Sequence, residues 1–62
     1  MTAAEVIALR ERTGLTQEGL ARRMRLSVST IRNWEQGLRH PDATRRLMLE
    51  TIRDTLGKGQ GK

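Results

Sequence analysis

Two pairs of side chains, each pair four residues apart, could make directed contacts with nucleic-acid bases: Val28 with Arg32, and Ser29 with Asn33. Residues four apart lie on one face of a helix, so a helix here would present all four together. Arginine can donate to both acceptors of guanine, asparagine can pair with adenine, and valine can touch the thymine methyl group. This pattern favours base recognition in a major groove. The alternative is the ordinary polar surface of a helix.

Further polar side chains around this stretch are suited to phosphate groups. Gln17 would lie in the first turn of a preceding helix, where free amides and the helix dipole favour an anion. Arg39 follows the base-reading stretch, where a loop can run along a nucleic-acid backbone. Of the arginines at positions 22, 23 and 25, some must face away from a bound duplex. The predicted phosphate-binding residues are Gln17, Arg25, Ser27, Thr30, Gln36 and Arg39.

The charge distribution agrees with a polyanionic partner. The chain has 62 residues and a net charge of +5. Residues 16–40 hold five arginines against two glutamates, giving +3, and the two lysines of residues 57–62 supply the other +2. Such an excess favours nucleic acid as the partner. A solvated basic face that only keeps the chain soluble is the alternative.

The composition argues against several classes of protein. The chain has no cysteine, so a disulfide scaffold, a thiolate metal site and a cysteine nucleophile are excluded. Its one histidine, His40, stands beside Pro41 without a catalytic or metal-binding partner nearby in sequence. We therefore expect no enzyme activity, no metal and no cofactor. No apolar run approaches the roughly 20 residues of a membrane span, and no signal peptide is visible, so a cytoplasmic protein is expected.

Helical signals recur along the chain and predict an all-α fold. Thr2 and Glu5 form the spacing of a capping box, which starts a helix over about 3–12. Thr16, Ser27 and Asp42 are further capping residues. The helices that they start are predicted over about 16–24, 28–36 and 42–56.

The connection between the second and third predicted helices has only about three residues. Two short helices joined so tightly cross at a steep angle, which is the helix-turn-helix arrangement. The sequence thus predicts a compact domain of four, at most five, helices over 1–56, followed by a flexible basic tail over 57–62.

One helix in a groove touches few base pairs, so we expect a homodimer that reads an inverted repeat with half-sites about 34 Å apart. Trp34, the only aromatic residue, is assigned to the core and not to a base-stacking platform. The dimer interface is predicted at apolar residues of the last helix, Leu49, Ile52 and Leu56. The predicted core comprises Val6, Leu9, Leu15, Leu20, Ala21, Met24, Leu26, Ile31, Trp34, Leu38, Leu47, Met48 and Ile52.

The pattern Q-x-x-L-A, S-x-x-x-I and W-E-x-G, which runs from Gln17 to Gly37, resembles the Cro/CI (XRE) family of helix-turn-helix regulators over about residues 5–56. The resemblance implies a lambda-repressor-like fold and a dimeric repressor, commonly of its own operon. The run N-W-E-Q-G, followed by a basic residue, a proline and one long helix, looks like the short antitoxin-type or phage-associated branch. That branch keeps a second function open, in which the chain also binds and neutralises a toxin.

The resemblance also implies residue roles. Positions 28, 29, 32 and 33 match the base-reading positions of lambdoid phage repressors, and Gln17 matches their phosphate-binding glutamine. Arg10 and Glu35 match an ion pair that joins the first helix to the third. Arg25 departs from the family's usual glycine, so the turn either takes a left-handed conformation, at a cost of order 1 kcal/mol, or is built differently. Gly19, in place of a larger residue, weakens the second helix by about 1 kcal/mol relative to alanine.

Overall fold

Each helix of the protein begins after a short polar residue whose side chain caps the first turn. The computed structural model describes residues 1–57, and within that range it contains four α-helices and no strand. The predicted all-α class is confirmed. The helices are α1 (Ala3–Thr13), α2 (Gln17–Met24), α3 (Val28–Gln36) and α4 (Ala43–Ile52). Their caps, in order, are Thr2, Thr16, Ser27 and Asp42. Such a cap typically contributes about 1 kcal/mol.

The first cap is a reciprocal capping box. The Thr2 hydroxyl accepts a hydrogen bond from the Glu5 amide at 3.2 Å, and the Glu5 carboxylate accepts one from the Thr2 amide at 2.7 Å. The Thr2 amide thereby lowers the pKa of Glu5. At the other end of α1, Gly14 is left-handed (φ 76°), and so is Gly37 after α3 (φ 79°). These glycines let the chain leave each helix without steric strain.

The core lies where α1, α2, α3 and α4 meet. Most of the predicted core is confirmed, since seven of its residues are fully or nearly fully buried: Val6, Leu9, Leu20, Ala21, Met24, Ile31 and Trp34. Leu49, which the sequence does not place in the core, is buried with them. Partly buried residues pack around this set and include Leu15, Leu26, Met48 and Ile52. Trp34 is 4% exposed, so its ring belongs to the core.

Three leucines differ from the prediction. The sequence predicts Leu47 and Leu38 in the core, yet they are 64% and 68% exposed. It predicts Leu49 at a dimer interface, yet this residue is 0% exposed and belongs to the core. Successive helical residues are about 100° apart, so Leu47 and Leu49 lie about 200° apart and cannot share a face. Leu38 follows the left-handed Gly37, where the chain has already left α3.

The last helix changes its type before it ends. The sequence predicts one helix over about 42–56; α4 covers Ala43–Ile52 and continues directly into a π-helical turn, Arg53–Gly57. Just before this change, the Thr51 hydroxyl donates to the Leu47 carbonyl at 2.9 Å, a bond that competes with regular helix geometry. Gly57 is the one residue of the predicted tail that the structure describes, and 58–62 lie outside the described residues.

Candidate nucleic-acid interface

A three-residue turn joins α2 to α3 and sets the angle at which α3 is presented. Arg25 adopts the left-handed conformation (φ 59°, ψ 41°), and the Leu26 amide donates to the Ala21 carbonyl at 2.9 Å. Ser27 follows in an extended conformation and caps α3. Of the two geometries that the sequence left open at Arg25, the structure has the left-handed one. It costs of order 1 kcal/mol for a residue with a Cβ atom.

Ser29 and Arg32 form the outward face of α3. Both side chains are exposed, whereas Ile31 and Trp34 on the opposite side are 0% and 4% exposed. The Arg32 guanidinium makes no hydrogen bond or ion pair within residues 1–57. Its five N–H donors are therefore available to an external acceptor.

The other two predicted base-reading residues are less exposed than expected. Val28 is half-buried and packs against the core, because it precedes Ile31 by three residues and so shares its side of the helix. The sequence predicts Val28 on the outward face, but its side chain is turned partly towards the core. Asn33 is also half-buried, and it lies at the edge of α3 beside a surface cavity. The fully exposed part of the predicted reading face is therefore Ser29 and Arg32.

Arg10 and Glu35 form a bidentate ion pair that joins α1 to α3. The Nε and Nη2 atoms of Arg10 donate to Oε2 and Oε1 of Glu35 at 2.6 and 3.2 Å. Nη1 of Arg10 also donates to the Leu15 carbonyl at 3.2 Å. The Glu35 side chain is only 7% exposed, and its hydrogen bonds raise the pKa of Arg10. An acid near the end of α3 is thus turned inward, where it does not repel a polyanion.

Gln17 joins the same cluster from α2. Its Nε2 atom donates to Oε1 of Glu35 at 3.1 Å, so one carboxylate holds α1, α2 and α3 together. A glutamine amide nitrogen has two hydrogens, so the contact with Glu35 leaves one N–H for another acceptor. Because α2 begins at Gln17, this group stands beside the free amides of the first turn.

The remaining predicted phosphate-binding residues divide into two groups. The hydroxyls of Ser27 and Thr30 lie 3.1 Å apart and are hydrogen-bonded to each other, and Ser27 also accepts from the Thr30 amide. Part of the hydrogen-bonding capacity of these two hydroxyls is therefore used in capping α3. Gln36, Arg39 and Arg25 are exposed. Arg25 lies before α3 and the other two at its end, so exposed polar groups flank the helix on both sides.

A cavity of about 400 Å³ opens between α3 and the start of α4. Its polar lining comes from both helices and the loop between them. The sequence predicts Arg39 as a phosphate-binding residue but does not predict Arg45. Arg45 is one turn into α4 and lies 3.9 Å from the capping carboxylate of Asp42. The lining residues are Leu26, Thr30, Asn33, Trp34, Arg39, His40, Asp42 and Arg45. Two arginines and a histidine here can bind an anionic oxygen beside α3.

The described part of the chain has neither a cluster of metal ligands nor a membrane-spanning helix. No group of three or more histidines and carboxylates is placed to hold a metal ion among residues 1–57. None of the helices in that range has the length and apolar character needed to cross a bilayer.

Comparison with known proteins gives one family. The model of a family described as "Helix-turn-helix domain" matches residues 3–57, which is nearly the whole described chain. No curated protein and no solved structure matches the chain significantly.

Proposed function

The chain belongs to the helix-turn-helix domain family, of the Cro/CI type, and we propose that it is a dimeric transcriptional repressor that binds an inverted-repeat operator. In this proposal α3 enters the major groove of double-stranded DNA, which is about 12 Å wide and admits a helix. The operator lies upstream of the operon that encodes the protein, so that the bound protein blocks transcription of its own gene.

The observation that carries the proposal is the exposed guanidinium of Arg32, which has no partner within residues 1–57 and lies beside Ser29 on the outward face of α3. Arg32 donates to the O6 and N7 acceptors of a guanine, the commonest specific contact in a major groove. Ser29, one turn earlier, contacts a neighbouring base pair. Asn33 and Val28 stand at the edges of this face, where they add contacts with an adenine and a thymine methyl group.

Phosphate groups on either side of the groove fix the orientation of α3. Gln17 donates its second amide hydrogen to one phosphate, together with the free amides that begin α2. On the other side, Arg39 and Arg45 receive a second phosphate at the cavity between α3 and α4. The remaining contacts come from Arg25, Ser27, Thr30 and Gln36.

The test is selection of a randomised duplex library by the purified protein at about 150 mM salt. We expect enrichment of an inverted repeat with half-site centres one helical turn apart. Arg32→Ala is the matched variant, and it should lose preference at one base-pair position in each half-site while the rest of the motif remains. Salt-sensitive binding without any enriched motif would contradict sequence-specific regulation and leave non-specific attraction by the basic charge.

The antitoxin function requires a protein partner besides DNA, and co-purification tests whether the chain has one. Co-expression of the chain with the genes beside its own, followed by purification through a tag, would recover a stable complex if one neighbour encodes a toxin. Recovery of the chain alone, together with the selected inverted repeat, favours the autorepressor.

A further inference from the structure

One exposed leucine of α4 forms a ridge between two grooves. Leu47 is 64% exposed and contributes to the walls of both grooves. The first groove, of about 370 Å³, is largely apolar and is lined by Arg23, Thr44, Met48, Thr51 and Ile52. The second, of about 350 Å³, is charged and is lined by Met1, Glu5, Arg46, Glu50 and Arg53. We call Leu47 and these two grooves the α4 surface.

We propose that the α4 surface is where a second copy of this chain binds, with the two α4 helices antiparallel across a two-fold axis. The inference rests on the proposed function, because two half-sites require two copies of α3. It replaces the interface predicted at Leu49, Ile52 and Leu56: Leu49 is buried in the core, and Leu56 is half-buried. Ile52 is kept as part of the apolar groove.

The shape of the surface is self-complementary. A two-fold axis places the same patch of both copies face to face, so each ridge must fit a groove that lies beside the other ridge. Here the ridge, Leu47, adjoins an apolar groove that is roomy enough for a leucine side chain. The core of this contact contains Thr44, Leu47, Met48, Thr51 and Ile52, and none of them carries a charge. Two leucines that are exposed in the monomer would thus leave water together.

The charges beside the ridge fit the same symmetry. When the axis crosses α4 at the level of Met48, residues equally far from Met48 in opposite directions come to one level. Arg46 and Glu50 are each two residues from Met48 and both lie along the charged groove. Arg46 of each copy therefore stands beside Glu50 of the other, twice in the dimer. A surface with like charges at these two positions would repel its own copy.

The first experiment is sedimentation equilibrium of the full chain without DNA, over a range of micromolar concentrations. We expect a monomer–dimer equilibrium that Leu47→Glu weakens by at least about tenfold, because the carboxylate would be buried in the partner's apolar groove. Leu38→Glu is the matched control. Leu38 is equally exposed at 68% but lies outside the α4 surface, so this variant should dimerise like the unchanged chain.

The second experiment exchanges charges. Arg46→Glu places glutamate beside Glu50, and Glu50→Arg places arginine beside Arg46, so each single variant should dimerise at least about tenfold more weakly. The double variant Arg46→Glu/Glu50→Arg restores opposite charges and should recover the dimer. A mixture of the two single variants should form a heterodimer, since both of its contacts are then complementary, and native mass spectrometry would separate it from homodimers by mass.

A chain that stays monomeric at high micromolar concentration would overturn this inference. So would a dimer that Leu47→Glu weakens no more than Leu38→Glu, or one that the charge exchange fails to restore. These outcomes are separate from the proposed function, because none of the measurements contains DNA. A dimer with the expected response but no selected operator would leave the α4 surface in place and reject the repressor. A partner protein that displaces the second copy from Leu47 would assign the surface to that partner.

Discussion

Helices α3 and α4 have nearly the same length, nine and ten residues, but they use their outward faces differently. On α3 the apolar side chains of Ile31 and Trp34 are buried, and the exposed side carries serine and arginine. On α4 an apolar side chain, Leu47, is left at the surface. A polar outward face suits a hydrated, charged ligand such as DNA, and an apolar one suits a protein. In the two proposals made above, α3 therefore recognises DNA and α4 recognises a second copy of the chain.

A substitution on the inward face of α3 should have the strongest effect on the fold. Trp34→Ala should destabilise the fold by about 3–5 kcal/mol, because it removes the largest side chain of the core. A domain of this size has roughly 3–9 kcal/mol of stability in total, so we expect little cooperative folding. Far-UV circular dichroism during heating measures this, since the variant lacks the only tryptophan. A sharp transition close to that of the unchanged chain would contradict the core role of Trp34.

The two leucines of α4, Leu47 and Leu49, should respond differently to truncation. Leu49→Ala should lower the free energy of unfolding by about 3 kcal/mol, because Leu49 is fully buried. Leu47→Ala should change it by less than about 0.5 kcal/mol, because Leu47 is exposed in the monomer. Urea unfolding by tryptophan fluorescence measures both, at a protein concentration low enough to exclude dimers. Equal effects of the two substitutions would mean that the inward face of α4 is wrongly assigned.

These leucines also show what the sequence could predict. In α3 each of the buried residues Ile31 and Trp34 is followed by two polar residues. The bounds and the inward face of α3 could therefore be predicted from this spacing. In α4 the run Leu47-Met48-Leu49 covers more than half a turn, and an apolar run without a period does not say which member is buried. The packing of the other helices decides it, and that information is not local.

The candidate site was predictable to a similar degree. Ser29 and Arg32 follow from the helical period, and the Arg10–Glu35 contact follows from the family resemblance. Val28 was misjudged because a residue three positions before Ile31 also turns towards the core. The sequence does not predict Arg45, because this residue borders the same cavity as Asn33 and Arg39 only once the loop after α3 has folded. Local spacing therefore finds residues within one helix, and the fold is needed to find those that two helices bring together.

The ion pair between Arg10 and Glu35, on the inward side of α3, should contribute to the stability of the fold. Glu35→Ala should cost about 2 kcal/mol of stability: breaking a fully buried pair costs about 3–5 kcal/mol, and Arg10 is 19% exposed and can be partly hydrated. A double-mutant cycle with Arg10→Ala, followed by urea unfolding, measures the coupling. Purely additive effects would contradict the pair as the link between α1 and α3.

On the outward face of α3 the expected effect is on specificity and not on stability. Arg32→Ala should reduce discrimination at one base-pair position of each half-site by about 1–3 kcal/mol and leave thermal unfolding unchanged. Arg39→Ala is the comparison, since loss of a phosphate contact weakens binding to all sequences and reduces the salt slope by about one. Competition binding with single-base operator variants at two salt concentrations separates them. Uniform weakening by Arg32→Ala would reassign it to the phosphate backbone.

The smallest effect belongs to the turn before α3, and it tests why an arginine occupies a left-handed position. Arg25→Gly should stabilise the fold by up to about 1 kcal/mol, because glycine adopts φ 59° without a clash at Cβ. If the charge of Arg25 serves a phosphate, the same variant should bind every operator variant more weakly, with a shallower salt dependence. Urea unfolding and binding at two salt concentrations give both quantities. A more stable variant with unchanged binding would remove Arg25 from the interface. Opposite changes would mean that the strain in the turn is retained for contact with DNA.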